Sequence, residues 1–293
     1  MERAVDVGYN GVDLSQVQNN EELVGESFRN LFRKDQIERK NFYILSKLWG
    51  TNHSKEKLRL SFLKTLSNLK LDYLDCFLLH SPFGKLFFLF INYFIFYFFV
   101  FIFYFLFFYF LALKKTSKES DDIKRDFVSI HKTWREMEKL KNEGLVKSIG
   151  VCNFDIQIMH ELLTEANIKP SINQIELHPY NTRKNLVDFC NEEFIKIYSQ
   201  GILGNNSENL ILNDPYIVSL SHKYFVTPSQ IVLRWSTQNG FIVSPKSLEN
   251  EKMVEYLNIF HFSLTKREIS NISSLNKNLF LFDYNSMFGL PIN

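Results

Sequence analysis

Cysteine is scarce in this 293-residue sequence, which contains three cysteines, Cys76, Cys152 and Cys190. They are widely spaced and odd in number, and they form no CxxC pair and no spacing typical of metal ligands. The sequence therefore predicts neither a disulfide framework nor a metal site, and it favours a reducing compartment such as the cytoplasm.

An excess of charge of one sign is also lacking. The chain has 34 Lys and Arg against 32 Asp and Glu, which leaves a net charge of +2. This balance gives no electrostatic case for a nucleic-acid partner. Residues 1–13 contain no apolar stretch of the kind found in a secretory signal. With 45% hydrophobic residues, the chain has enough apolar side chains for one large domain or two small ones.

A GxGxxG motif is absent after every predicted strand, although strands and helices alternate along the chain. Strands are predicted at 11–14, 42–47, 76–79, 148–153, 171–177, 194–198 and 241–243. Helices are predicted at about 20–32, 54–69, 127–143, 155–166, 184–190, 228–238 and 249–257. Repeated strand–helix units indicate an α/β protein with a parallel sheet. Without the dinucleotide fingerprint, the pattern favours a (β/α)8 TIM barrel over a Rossmann sheet.

Three polar residues, Asp13, Lys47 and His80, each lie at or just after the carboxyl end of a predicted strand. Because the carboxyl ends of barrel strands meet at one mouth, we expect these side chains to converge there. An Asp–Lys ion pair at the mouth would be partly desolvated, which would hold the lysine charged and oriented. Taken alone, the same residues also fit a structural ion pair with a capping histidine.

Seven segments, in order and spacing, resemble the motifs of the aldo-keto reductase family. They are GYNGVDLSQVQNNEELVGE, ILSKLW, LDYLDCFLLHSP, IGVCNF, NQIELHPY, LRW and PKS. The resemblance extends from about residue 4 to residue 291, apart from a phenylalanine-rich segment. It implies a (β/α)8 barrel that uses NADPH to reduce a small aldehyde or ketone to an alcohol. It also leads us to expect a monomeric cytoplasmic protein.

The resemblance further implies catalytic roles. In the family, a lysine matching Lys47 lowers the pKa of a tyrosine that donates a proton to the carbonyl oxygen. The histidine matching His80 orients the carbonyl and stabilises its developing negative charge. The tyrosine is replaced here by Gln18, whose amide donates hydrogen bonds but is not a useful acid. Weakened carbonyl reduction is therefore expected, and an NADPH-binding pseudoenzyme is the alternative.

A set of cofactor and pocket residues also follows from the resemblance. For the nicotinamide, the implied residues are Cys152 in place of a serine, Asn153, Gln174, Tyr198 as a stacking ring, and Ser199. For the adenosine side they are Lys246, Ser247, Lys252 in place of an arginine, and Glu255. The cations Lys246 and Lys252 favour NADPH over NADH, and Lys246 precedes a helix start suited to phosphate. Trp49 resembles a wall of the substrate pocket.

Two departures from the family pattern are expected. The chain begins within what resembles the first barrel helix, which predicts that the first strand is missing. An apolar, aromatic-rich stretch at 86–113, interrupted only by Asn92, follows the strand that matches the family's fourth. We therefore predict one barrel domain formed by residues 1–83 and 114–293, with a hydrophobic insertion at 84–113.

The insertion has three interpretations. Its length and flanking lysines suit a transmembrane anchor, which would make the protein membrane-associated if 86–113 is retained. It would also suit a hairpin or an interfacial element that returns to the same side of a membrane. The third interpretation is translated non-coding sequence, because its residue types are those of A/T-rich codons. Codons for 84–85 and 111–112 can contain a splice donor and an acceptor in frame. The sequence favours this third interpretation.

Overall fold

A computed structural model describes residues 1–33, 37–86, 124–126, 128–204 and 210–282. Its strands are β1 Gly11–Asp13, β2 Tyr43–Leu48, β3 Leu74–Leu79, β4 Gly84–Leu86, β5 Lys124–Asp126, β6 Val146–Cys152, β7 Ile172–Glu176, β8 Lys196–Gln200 and β9 Ile242–Val243. Its helices are α1 Glu2–Val7, α2 Glu21–Arg33, α3 Lys55–Leu69, α4 Ile130–Asn142, α5 Ile156–Glu165, α6 Lys184–Glu192, α7 Pro215–Tyr224, α8 Pro228–Gln238, α9 Asn250–Leu257 and α10 Lys266–Ser273.

Seven of these strands form one sheet in the order β1-β2-β3-β6-β7-β8-β9, and every neighbouring pair is parallel. A helix follows each of the first six strands, so each connection is a crossover of the kind that a parallel sheet requires. The predicted α/β fold with a parallel, barrel-type sheet is therefore confirmed. The predicted absence of a first strand stays a prediction.

Both faces of the sheet are covered, which explains why consecutive residues of its central strands are buried. All six residues of β3 are buried, and alternate side chains of a strand point to opposite faces. Cys76 and Leu78 lie in a small cluster on the inner face, with Leu45, Ile172 and Tyr198. Phe77 and Leu79 belong instead to the large core between the sheet and the helices. A sheet buried on both faces in this way is typical of a parallel barrel.

Helices α2 and α3 approach each other closely at a glycine. A Cβ atom at Gly25 would lie 2.1 Å from the backbone oxygen of Asn68, so a larger residue there would push the two helices apart. The contact holds α2 against the last turn of α3. The glycine in the motif LVGE is therefore required by helix packing.

A short hairpin lies between β3 and α4. In it, β4 pairs with β5 in antiparallel register, with Leu86 opposite Lys124. The first three residues of the predicted insertion thus belong to a hairpin whose second strand lies beyond the predicted insertion. The rest of that prediction, 87–113, lies outside the described residues, and the domain division stays a prediction. Within the described ranges, no helix has the length and apolar character needed to cross a bilayer.

Phe225 occupies a backbone conformation that suits glycine. It caps the carboxyl end of α7 with φ of 56°, and it is 95% exposed. Because this region is strained for a bulky side chain, Phe225→Gly should raise the free energy of unfolding by about 1 kcal/mol. Urea unfolding measures the change. Phe260→Gly is the control, since Phe260 is exposed without a positive φ. Equal effects of the two substitutions would contradict the backbone explanation.

His53 makes stability depend on pH. It is 1% exposed, and burial lowers the pKa of its ring to about 4. In the unfolded chain the ring binds a proton below about pH 6.5, so its contribution is complete above that pH and is lost as pH falls toward 4. Between about pH 7 and pH 4.5, the free energy of unfolding should fall by about 2 to 3 kcal/mol less in the His53→Gln variant than in the wild-type protein. Urea unfolding of both proteins at the two pH values tests this, and equal losses would refute it.

Candidate active site

The centre of the candidate site is an ion pair at the carboxyl ends of β1 and β2. The Lys47 ammonium donates to Asp13 Oδ1 and also to the Leu14 carbonyl, 3.2 Å away. The Asp13 and Lys47 side chains are 15% and 9% exposed, so the pair is largely removed from water. The parallel pairing of β1 and β2 brings the two residues together as predicted.

Gln174, on β7, connects this ion pair to a distant strand of the same sheet. Its Nε2 donates to Asp13 Oδ2 at 2.7 Å, although the two residues are 161 positions apart. The register of the strands places Gln174 between Cys152 and Tyr198. The Gln174 Oε1 atom is buried and has no hydrogen-bond partner in the described part of the chain. A buried acceptor of this kind normally has a donor, which a bound molecule can supply.

Asn153 links the Gln174 strand to His80. Its left-handed backbone, with φ of 63°, turns the chain at the end of β6, and asparagine tolerates this region better than most residues. Its Nδ2 lies 3.1 Å from both the His80 carbonyl and Cys152 Sγ. Burial raises the pKa of Cys152 to about 12, so this sulfur is a thiol at neutral pH.

His80 is fixed by Ser15, which is not among the predicted site residues. Ser15 Oγ lies 3.2 Å from His80 Nδ1, and both residues are buried. Trp49 packs edge-on against the His80 ring, with ring centroids 5.3 Å apart. A serine two positions after Asp13 was a weak signal, because the contact with His80 spans 65 residues.

Gln18 lies three residues after Ser15, at the end of the same turn. It ends the short 3-10 helix Gln16–Gln18, and its backbone N–H donates to the Ser15 carbonyl at 3.0 Å. Its side chain is exposed and makes no hydrogen bond within the residues described. Gln18 is therefore near the polar cluster along the chain but is not part of its hydrogen-bond network.

Tyr198 is buried in the cluster on the inner face of the sheet. Burial, together with the negative charge of Asp13, raises the pKa of its hydroxyl well above the usual value. It is therefore a poor acid at neutral pH. The neighbouring Ser199 donates its hydroxyl to the Leu177 carbonyl at 2.6 Å, which ties this end of β8 to β7.

The adenosine-side residues form a second group, with Lys246 and Ser247 between β9 and α9 and with Lys252 and Glu255 on α9. Lys246 is exposed, and Ser247 Oγ accepts the Glu249 N–H at 3.1 Å. Lys252 donates to Glu255 at 2.9 Å, a hydrogen bond that raises the pKa of Lys252. Thr227 donates to the other Glu255 oxygen at 2.6 Å. The structure therefore brings the four predicted residues into one region, where Lys252 and Glu255 pair with each other.

Binding of a metal ion would require a group of suitable side chains among the described residues. Across the ranges that the structure describes, no three His, Cys, Asp or Glu side chains are grouped so that they could hold an ion.

The fold and the site together define an α/β-barrel protein with a polar, largely desolvated ion pair at the mouth of its strands. A model of the Aldo/keto reductase family matches residues 1–277. The chain belongs to this family, whose members are NADP-dependent oxidoreductases.

Individual relatives agree with this assignment. Aldose reductase B of Dictyostelium discoideum is 35% identical over 277 residues, which covers 94% of this chain and 83% of that protein. Aldo-keto reductase family 1 member A1 of Gallus gallus is 34% identical over 284 residues, covering 94% and 80%. The aldose reductase structure from Schistosoma japonicum superposes with a TM-score of 0.81 at 28% identity, covering 99% and 87%. The Bombyx mori aldo-keto reductase in complex with NADP gives 0.81 at 26%, covering 99% and 85%.

Proposed function

We propose that this chain binds NADPH at the strand mouth and reduces a small aldehyde or ketone to an alcohol, at a rate limited by Gln18. The hydrogen-bonded cluster of Asp13, Lys47 and Gln174 is the observation that carries the proposal. It places a positive charge and a buried acceptor without a described partner at one mouth.

The residues of the mouth fit a nicotinamide cofactor. A carboxamide needs one hydrogen-bond acceptor and one donor, and Gln174 Oε1 is a buried acceptor without a described partner. The Cys152 thiol and the Asn153 amide lie on the adjoining strand end, while Tyr198 and Ser199 lie on the other side. Lys246, Ser247 and Lys252 would offer positive charge and a hydroxyl to the phosphates, and Glu255 would contact the adenine. When bound, NADPH supplies the hydride.

The remaining chemistry falls to the protein side chains. Lys47 places its charge where negative charge develops on the carbonyl oxygen, and its own low exposure limits screening by water. His80, held by Ser15 at Nδ1, orients the carbonyl, and Trp49 forms a wall beside it. Gln18 supplies no proton, since an amide is not an acid in this range. We therefore propose slow proton delivery, from water or from His80.

The alternative is a pseudoenzyme that binds NADPH without turnover. Gln18 favours it, because the side chain is exposed and outside the polar network. Quenching of protein fluorescence by NADPH measures binding, and oxidation of NADPH with 4-nitrobenzaldehyde measures turnover. Binding with turnover supports the reductase, binding alone supports the pseudoenzyme, and absence of binding excludes both.

For residues 84–113, we propose translated non-coding sequence within an otherwise continuous barrel of 1–83 and 114–293. Support comes from the A/T-rich residue types of the segment. Sequencing of the native transcript tests the proposal, and peptides from this stretch in the mature protein would refute it. The protein would then be a cytoplasmic monomer. Retention of the native protein in membranes after a carbonate wash would instead support the membrane-associated alternative.

A further inference from the structure

A buried carboxylate and imidazole lie side by side at the carboxyl end of β7. Glu176 and His178 both have fully buried side chains, and His178 Nε2 is 3.1 Å from Glu176 Oε1. With its proton on Nε2, the imidazole donates to the carboxylate oxygen in this contact. The other ring nitrogen, Nδ1, is buried without a partner in the part of the chain that is described. None of the roles assigned to the mouth uses this pair.

The carboxylate binds the backbone of the C-terminal segment, residues 276–282. Glu176 Oε1 accepts the Leu281 N–H at 2.5 Å, and Oε2 accepts the Phe282 N–H at 3.3 Å. The Tyr180 carbonyl accepts two further N–H groups of the same segment, from Lys277 at 2.9 Å and Leu279 at 3.1 Å. The segment is thus held across the end of β7 by its backbone.

The anchored segment packs on the loop that follows β8. The Phe282 ring lies directly over Gly201, where a Cβ atom would come within 2.6 Å of ring atom Cε2. A Cβ at Gly204 would lie 3.9 Å from Leu281 Cδ1. Gly201 directly follows the strand that carries Tyr198. Contacts from Leu281 and Phe282 therefore restrain the chain just beyond the proposed nicotinamide residues.

We infer that Glu176 and His178 form a latch, which anchors the C-terminal segment over the loop at 201–204 and thereby slows the release of NADPH. His178 orients the carboxylate, and the carboxylate orients the Leu281 and Phe282 amides. Both are positioning residues, since neither is proposed to touch the cofactor. The effect on release rests on the proposed function, whereas the anchoring does not depend on it.

Glu176→Gln is the first test, because it retains the shape but removes the charge and one accepting oxygen. We expect hydrogen–deuterium exchange in peptides covering 276–282 and 201–204 to become about tenfold faster, relative to the core strand β3. In a stopped-flow chase, NADPH should dissociate about tenfold faster. Unchanged exchange in these peptides would overturn the latch.

Glu138→Gln is the matched control. Glu138 is also a buried carboxylate and accepts a backbone N–H, that of Ile168, at 2.8 Å, but it lies on α4. It should destabilise the fold without a selective effect on 276–282 or on NADPH release. An equal acceleration of release by both substitutions would show that general destabilisation, not the latch, is responsible.

Phe282→Ala is a second variant, which does not introduce a buried defect at β7. It removes the ring over Gly201 but keeps the backbone N–H groups that bind Glu176. NADPH should again dissociate faster, while the 276–282 peptide stays protected. Failure of wild-type protein to bind NADPH would refute the proposed function and the effect on release, and the exchange data would still decide the anchoring.

Discussion

Gln18→Tyr is expected to raise the rate of 4-nitrobenzaldehyde reduction by roughly 100- to 10,000-fold, the range that a positioned general acid contributes. The substitution introduces a phenol, which is an acid, in place of an amide, which is not. Residue 18 is three positions from Ser15, which contacts His80, and the gain requires the longer tyrosine side chain to turn from solvent toward the polar cluster. A neighbouring lysine charge favours the ionised phenol and so makes it a stronger acid.

Gln18→Phe separates the acid from the ring. It fills about the same space as tyrosine but has no hydroxyl, so it should leave the rate at the wild-type level. NADPH binding, followed by fluorescence quenching, should be similar in all three proteins, since the change affects proton delivery. A gain of equal size with phenylalanine would show that packing, rather than the acid, limits the reaction. No gain with tyrosine would mean that another part of the site is defective.

Much of the fold could be predicted because its signals are local. Apolar runs such as the one ending at Leu79 mark strands buried on both faces, and the alternation with helices indicates a parallel sheet. The convergence of Asp13 and Lys47 followed from this topology, since parallel strands present their carboxyl ends at one edge. The predicted strand boundaries differ from the observed ones by at most two residues.

What the sequence did not reveal depends on contacts between distant residues. The Ser15–His80 and Glu176–Leu281 contacts span 65 and 105 positions, and neither has a motif that identifies both partners. Helices α7 and α10 were also missed, although each has a cap, at Asp214 and at Thr265, that signals a helix start.

The hairpin of β4 and β5 could not be predicted either. Its two strands are three residues each and are separated by residues 87–123, so nothing local indicates that they pair. Tertiary context decides such short strands. The pairing bears on the proposed splice boundaries, because removal of 84–111 would also remove β4. A spliced chain would need a different connection between β3 and α4.

Lys47→Met should lower the free energy of unfolding by about 3 kcal/mol, which is typical when one partner of a buried ion pair is removed. Asp13 would keep its negative charge at a site where its side chain is only 15% exposed. Gln174 would remain as a hydrogen-bond donor to Asp13 but cannot neutralise it. Urea unfolding at neutral pH measures the loss. In the Gln18→Tyr protein, the same substitution should also remove most of the gained activity, because the tyrosine loses the charge that acidifies it.

Lys184→Met provides the control for the stability effect. Lys184 pairs with Asp188 on the surface, where the two side chains are 77% and 51% exposed, so the loss should be below about 1 kcal/mol. The double variant Asp13→Asn with Lys47→Met should recover part of the stability, since it leaves no unpaired charge at the mouth. Recovery of stability without recovery of activity would show that the ion pair is needed for chemistry beyond its effect on folding. If Lys47→Met cost no more than Lys184→Met, the mouth would be far better solvated than its exposure indicates, and the electrostatic argument for carbonyl activation by Lys47 would fail with it.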